Sequence, residues 1–477
     1  MGEQKPLVLD VDGTYLKTDM LFECFWAGLG KHPTKTFKVC VAHINDRALL
    51  KAKLAEIADL NCDLLPVNPQ VEALAQAAKG QGRPVHLASA SDQKLVSAVA
   101  QVSGHTGTTF ASDGVTNMKG STKAAALVER FGEGGFDYAG NEPVDMQIWE
   151  KGDSAIVVGA PKEAAQLRAR GRTVTEIDDG TAPKDVLRAM RPHQWVKNIL
   201  LLLPLLAAHD FALASWLSVA LGIVAFSAAA SSIYIINDLL DLEADRVHAK
   251  KKYRPFASGA VSIKHGMLLY VVLTLVTLGI SSLLGAKFMA IVVLYMAISL
   301  AYSMRLKRMR WVDVIMLATL YTLRVVAGAA AGGVHVSLYM LVFIFPIFIT
   351  LGSVKRLTEL HGATDDARLP GRGYARQDRK PLLYLGVIGI IGALILFFLY
   401  SLTDHAASLY PSQGLLWFAL LPISIWLVRM LILGYQGKQD HDPIIFALKD
   451  KKGLGILMFT LSLMFYAAGL WQQWFGF

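Results

Sequence analysis

The chain has 477 residues, 53% of them apolar, with 47 Lys and Arg against 38 Asp and Glu for a net charge of +9. That length exceeds one ordinary domain and that apolar fraction exceeds the soluble norm, which excludes a wholly soluble single-domain protein. The basic residues cluster in loops between apolar spans, where they meet anionic headgroups; with no nucleic-acid motif present, the expected partner is a membrane and not a nucleic acid.

Residues 1 to 190 mix charge and hydrophobicity as a soluble domain does, and long apolar runs dominate the rest. A boundary is therefore expected between Asp178 and Arg191, giving domains 1–182 and 183–477. The opening MGEQKPLVLD shows no basic region followed by an apolar stretch of signal length, so the soluble half is expected to stay in the cytoplasm. Cys24, Cys40 and Cys62 are odd in number and form no CxxC pair, which suggests reduced thiols and neither a disulfide framework nor a zinc site.

In chain order, PLVLDVDGT at residues 6 to 14 reads as an apolar strand ending in Asp10 and Asp12. The segment from Leu21 to Gly80 is helical in pattern, PVHLASAS is a strand ending at Ser89, and KGSTKAAAL sets Lys123 at the opening of a helix. FDYAGNEPVD closes a third strand with Asn141 and Asp145. This order resembles the haloacid dehalogenase superfamily over roughly residues 5 to 180. The resemblance implies an α/β, Rossmann-like parallel sheet with its site at the strand C-termini and a small helical cap that selects the substrate. It implies Asp10 as nucleophile, Asp12 as acid and then base, and Ser89 and Lys123 as holders of the phosphoryl oxygens. It also implies a Mg²⁺ on Asp10, the Asp12 carbonyl, Asn141 and Asp145. Where that family commonly has GDxxxD, this chain has Gly140 and Asn141, which keeps an oxygen ligand, loses a charge and implies weakened metal binding.

After the linker DDGTAPKDVLRAM, whose basic and apolar residues suit the membrane surface or a plain tether, nine apolar segments are expected to cross the bilayer. They centre near Leu203, Phe226, Leu275, Tyr295, Tyr321, Phe345, Gly392, Leu420 and Leu463, the first being short. Lys and Arg concentrate in the loops after the second, fourth, sixth and eighth, so the positive-inside rule sets these loops and the soluble domain in the cytoplasm. This is the topology of a multi-pass protein of the inner (cytoplasmic) membrane, with the C-terminal WQQWFGF outside.

Asn237-Asp238-Leu-Leu-Asp241-Leu-Glu-Ala-Asp245 puts three carboxylates at the mouth of an apolar span. Their spacing places them on one face of a helix, close enough to hold one Mg²⁺ that bridges a phosphate or diphosphate, with Lys251 and Arg254 next along. Charged residues at a membrane are functional by default, and several others stand near span ends: RPHQWVKN at 191–198, YSMRLKRMRWVDV at 302–314, and Lys355, Arg356 and Glu359. Arg324 shares an apolar segment with Asp313, and either pairs with it or faces a polar cavity.

The 237–245 motif resembles the first aspartate motif of the UbiA superfamily of intramembrane prenyltransferases, which implies an all-α bundle. Lys355 and Glu359 stand where ordinary members have a second motif, DxxxD, for a second Mg²⁺. That departure, with RPxQWxKN, NDxxDxxxDxxHxxKxxRP, YSxxLK and KRxxE in order over residues 185 to 475, is similar to the decaprenyl-phosphate phosphoribosyltransferase branch. The resemblance implies transfer of phosphoribose from phosphoribosyl diphosphate to a polyprenyl phosphate, whose chain length no motif encodes. It implies Mg²⁺ on Asp238, Asp241 and Asp245, and substrate contacts from Arg191, Gln194, Lys197, Asn198, Asn237, Lys251, Arg254, Tyr302, Lys307, Asp313, Arg324, Lys355, Arg356 and Glu359. Joined to the phosphatase-like half, it suggests a bifunctional enzyme of arabinose-donor biosynthesis with one Mg²⁺ in each half, and a homo-oligomer is compatible with it. A conventional prenyltransferase using prenyl diphosphate and an aromatic acceptor is the alternative, against which Lys355 argues. A transporter or inactive scaffold is opposed by the carboxylates at motif spacing.

Overall fold

The computed structural model describes residues 5–180, 182–335, 338–362, 368–369, 371–439 and 442–476. Residues 1–4 of the N-terminal stretch and residue 477 of the C-terminal one lie outside them. The chain forms two compact units, Met1–Met190 with Tyr234–Val271, and Arg191–Ile233 with Val272–Phe477. The compact units thus differ from a division at 182/183, because the aspartate-motif segment packs with the N-terminal residues.

The first unit is built on six parallel strands in the order β3-β2-β1-β4-β5-β6. These are Leu7–Asp10, Val85–Asp92, Thr109–Ser112, Asp137–Gly140, Ser154–Val158 and Thr173–Ile177 for β1 to β6. A two-residue period divides β1 between two cores, as alternating side chains must. Leu7 and Leu9 join Val71, Leu87 and Val96 on one face, while Val8 joins Phe136, Tyr138 and Trp149 on the other. From β1 the chain winds outward through β2 and β3, then returns to add β4 on the opposite side. The C-terminal ends of β1, β2 and β4 therefore meet at a topological switch point, where such sheets bind ligands.

The segment expected as a helical cap has two parts. Helices Met20–Lys31, Pro33–His43 and Arg47–Ala58 form an insertion after β1, the first and third capped by Asp19 and Asp46. Pro69–Gly80 is instead the crossover helix leading into β2, with Val71, Ala75 and Ala78 buried in the core.

The second unit is a helical bundle. Among the described residues, seven helical stretches of the chain are long and apolar enough to cross a membrane: Leu213–Leu240, Ile263–Leu283, Ala286–Met304, Val312–Gly332, Leu338–His361, Arg376–Ser401 and Gln413–Tyr435. The other two of the nine expected segments take a different form. Near Leu463 the helix Lys451–Ala467 has 17 residues, about 25 Å of rise against the ~30 Å hydrocarbon core. Near Leu203 the chain is a 3₁₀ helix, Pro192–Leu202, continuing as the short helix Leu203–Ala207. Leu201 and Leu205 are fully buried with Val219, Phe226 and Ala327, so this segment packs into the bundle. It lies so close to Val312–Gly332 that a β-carbon on Gly328 would collide with the Leu201 carbonyl.

Candidate active sites

At the switch point the side chains named from the DVDGT stretch converge. Lys123 Nζ, from the first turn of the helix Ser121–Phe131, is 2.6 Å from Asp10 Oδ1, and also donates to the Ala88 carbonyl at 3.2 Å and Tyr138 Oη at 3.0 Å. Asp12 is held on both oxygens: Met20 N donates to Oδ1 at 2.7 Å, and Ser89 and Ser91 hydroxyls donate to Oδ2 at 2.6 and 2.8 Å. Thr14 Oγ1 donates to Asp10 Oδ2 at 3.3 Å and lies 3.2 Å from Asn141 Oδ1. Asp145 Oδ2 accepts from the backbone N–H groups of Asn141 and Glu142, and Tyr138 donates to its Oδ1. Gly13 has φ +76°, and a β-carbon there would collide with the Asn141 amide, so the turn that follows the two aspartates requires glycine.

Burial pushes the Asp10 carboxyl up to about 7; Lys123 opposes the rise, and Asp145 and Asp12 add to it. Asp10, Asp12, Asn141 and Asp145 offer the hard oxygen donors that suit Mg²⁺. Among the described residues, however, no three His, Cys, Asp or Glu side chains are grouped to hold a metal ion, here or at the second aspartate cluster.

The expected helical face of three aspartates is not continuous. Leu213–Leu240 ends before Asp241, whose φ of −102° and ψ of 14° leave the helix, and Leu242–Val247 begins a new one. Arg254 Nη1 instead bridges the buried pair, 3.1 Å from Asp238 Oδ1 and 2.6 Å from Asp245 Oδ2. One guanidinium therefore offsets part of the charge of these two acids. Lys251, on the 3₁₀ turn Lys251–Tyr253, is exposed, and Asn237 and Asp241 are half-buried.

In the bundle, Lys197 and Lys355 both approach Asp442 Oδ2, at 2.6 and 3.6 Å. Burial raises the Asp442 carboxyl, but Lys197 and Lys355 outweigh that effect and hold it below the carboxylate range. A second cluster joins Asp313 to Arg356 at 2.5 and 2.9 Å, with Tyr302 Oη donating to Asp313 at 2.9 Å and accepting from Arg356 at 2.9 Å. Arg356 also pairs with Glu359, which lies 3.7 Å from Arg372.

Arg324 does not pair with Asp313. Its guanidinium donates to Asn198 Oδ1 at 3.1 Å, Tyr295 Oη at 2.8 Å and the Leu320 carbonyl at 2.7 Å, because the rise of the shared helix Val312–Gly332 sets Asp313 and Arg324 about 16 Å apart. Arg191 opens the 3₁₀ segment with φ +54°, Gln194 N donates to its carbonyl, and Lys307 lies on the turn Leu306–Arg308. Sequence reading missed Ser91, Tyr138 and Asp442; the signal for the last is its place before Pro443, a helix-start pattern inside a basic loop.

An apolar bundle whose ionised side chains gather into a few buried clusters is the build of a membrane-embedded enzyme. Residues 199–449 match the UbiA prenyltransferase family, and the chain belongs to that family as a multi-pass membrane protein. It is 34% identical over 455 residues to an uncharacterized protein of Sinorhizobium fredii, covering 94% of this chain and 88% of that one. With decaprenyl-phosphate phosphoribosyltransferase of Mycobacterium tuberculosis it shares 32% identity over 281 residues, 56% of this chain and 88% of that enzyme. A solved UbiA homolog from Archaeoglobus fulgidus, bound to GPP and Mg²⁺, is similar with a TM-score of 0.45 and 18% identity, covering 60% of this chain and 99% of that one.

Proposed function

We propose that the chain is a bifunctional enzyme that moves 5-phosphoribose from phosphoribosyl diphosphate onto a polyprenyl phosphate and then removes the 5-phosphate. The transfer rests on similarity to decaprenyl-phosphate phosphoribosyltransferase over 88% of that enzyme's length. The hydrolysis rests on the convergence of Asp10, Asp12, Ser89, Lys123 and Asp145 at the ends of parallel strands, the arrangement of a haloacid dehalogenase-type phosphatase. Both sites take the cytoplasmic side in this reading, from the distribution of Lys and Arg among the loops.

In the first reaction an oxygen of the lipid phosphate attacks C1 of the ribose as the C1–O bond to diphosphate breaks, the electron pair leaving with diphosphate. No general base is needed, since the attacking phosphate is already an anion. Asp238, Asp241 and Asp245 would hold a Mg²⁺ only once Arg254 leaves the place it takes between Asp238 and Asp245; the ion would supply charge neutralisation for the departing diphosphate. Arg254 and Lys251 add cationic donors for the same group. Arg191, Lys197, Lys307 and Lys355 are the candidates for the ribose 5-phosphate and the lipid phosphate. In the bundle, Gln194, Asn198, Tyr302, Asp313, Arg324, Arg356 and Glu359 orient the surrounding donors, and Asn237 does so beside Asp238.

In the second reaction Asp10 attacks phosphorus, the bond to the 5-oxygen breaks, and Asp12 gives that oxygen a proton. Water, deprotonated by Asp12, then splits the aspartyl-phosphate and releases inorganic phosphate. Asp10, the Asp12 carbonyl, Asn141 and Asp145 would hold a second Mg²⁺, which lessens repulsion between nucleophile and phosphate. Lys123 does part of that work itself, 2.6 Å from Asp10.

Purified protein incubated with polyprenyl phosphate, labelled phosphoribosyl diphosphate and Mg²⁺ tests both steps by the mass of the lipid product. Asp10→Asn should accumulate the phosphorylated lipid, and the parent a product lighter by one phosphate group. Absence of labelled lipid refutes the transferase; identical phosphorylated products from parent and variant refute the coupled phosphatase.

A further inference from the structure

The short helix Leu242–Val247 carries Asp245 and has six residues, too few to hold a helical position in water unaided. Its position must come from tertiary contacts, and the N-terminal residues supply several of these beside those of the 251–257 segment. Arg246 donates Nη1 to Glu23 Oε2 at 3.1 Å and Nη2 to Glu23 Oε1 at 2.5 Å, a two-pronged ion pair whose side chains are 5% and 1% exposed. Its Nε donates to the Ala257 carbonyl at 3.1 Å, tying the segment after the motif to the same guanidinium. Thr18 Oγ1 donates to Glu23 Oε1 at 2.6 Å and completes the carboxylate's partners. On the other flank of the short helix, Glu243 accepts from Lys31 at 3.2 Å and from the Asn61 backbone N–H at 3.2 Å.

We propose that Glu23 is a positioning residue for the aspartate motif, so that the sheet domain sets the backbone carrying Asp241 and Asp245 whether or not it hydrolyses anything. A buried ion pair is costly to assemble, and losing one partner leaves an uncompensated buried charge, so this pair holds the helix Leu242–Val247 in one register against Met20–Lys31. Here the register is that of Asp245, the residue immediately before Arg246, whose carboxylate must stay opposite Asp238 across Arg254. Glu23 lies on the helix Met20–Lys31, whose first backbone N–H is bonded to Asp12, so one rigid element leads from the phosphatase-like residues to the motif. The functional consequence rests on reading the motif as the transferase site; the structural consequence does not.

The test uses the full-length protein in detergent and the variants Glu23→Gln and Glu23→Asp. Hydrogen exchange across residues 241–254 reports the position of the segment without any activity. Transfer as a function of Mg²⁺ concentration and hydrolysis of p-nitrophenyl phosphate report the two sites separately. Glu23→Gln should raise exchange in 241–254 by roughly tenfold or more, the scale of losing a charged hydrogen bond. It should also slow transfer, with Mg²⁺ half-saturation moved to higher concentration, and leave ester hydrolysis near the parental rate. Glu23→Asp, which keeps the charge, should recover part of both effects. Parental exchange in Glu23→Gln overturns the inference, as does equal loss of ester hydrolysis with faster exchange throughout the sheet, which would mark a general folding role. If the parent has no transfer activity, the functional reading fails, and the exchange measurement still decides the positioning.

Discussion

Lys197 and Lys355 come from helical segments more than 150 residues apart in the chain, yet both meet one oxygen of Asp442, at 2.6 and 3.6 Å. Two ammonium groups so close repel each other, and the Asp442 carboxylate is what makes their approach tolerable. Phosphate oxygens offer the same charge, and on that ground these lysines are proposed for an anionic substrate.

Asp442→Asn should cost about 3 kcal/mol or more of stability, since it leaves buried cations uncompensated. Thermal unfolding in detergent measures the loss. Lys197→Met in the same chain should return part of it, and strictly additive losses from the two changes would disprove the coupling.

Gly328→Ala should push the 3₁₀ segment off the helix Val312–Gly332, because the new methyl meets the Leu201 carbonyl. Overpacking of this kind costs about 1–3 kcal/mol. The segment also carries Asn198, which anchors Arg324, and Lys197, so transfer should fall by on the order of 100-fold. Gly279→Ala, where nothing lies within 4 Å of the added carbon, should behave as the parent. Equal activity of the two variants would remove the 3₁₀ segment from the site.

His105 is buried against Tyr15, ring centroids 5.1 Å apart, with Glu72 at 3.8 Å and Lys79 nearby. Burial, with Lys79 adding, lowers its pKa from 6.5 to about 4, against a smaller opposing effect of Glu72. Between these values the unfolded chain binds a proton that the folded chain does not, so stability is full above pH 6.5 and falls as pH drops toward 4. The loss from this one group should be on the order of 2–3 kcal/mol. His105→Phe should flatten the fall in the unfolding midpoint between pH 7 and pH 5. A fall as steep as the parent's would show that other groups cause it.

Asp238→Asn and Asp241→Asn should each abolish lipid labelling and spare ester hydrolysis, because each removes charge only from the 238–245 motif. Asp238→Asn additionally deprives Arg254 of one of its two carboxylate partners. Parental labelling in either variant would dismiss the metal assignment. Loss of ester hydrolysis as well would show that the two halves do not act separately.

Much of this molecule was legible before its tertiary structure. An unbroken apolar run before Asp10 marked a buried strand, and apolar run length marked nine segments as membrane spans, where seven helical stretches among the described residues are long and apolar enough to cross. Both signals are local: a strand covered on both faces is a short apolar run, and a span needs a fixed count. The conjunction of DVDGT, Ser89, Lys123 and Asp145 was also readable, since parallel strands deliver their C-terminal residues to one edge whatever the loops between them do.

What tertiary structure alone decided is which charge faces which. Asp313 pairs with Arg356 from another helix, and Asp442 draws in two lysines. Arg246 leaves the basic loop to meet Glu23, and Arg254 turns back between Asp238 and Asp245. Spacing along one helix says which side chains share a face, but the rotation and height of one helix against another are set by packing over the whole core. A shift of a single residue there moves an ammonium or guanidinium by more than a hydrogen-bond length, so the partners of these ions are properties of the assembled fold.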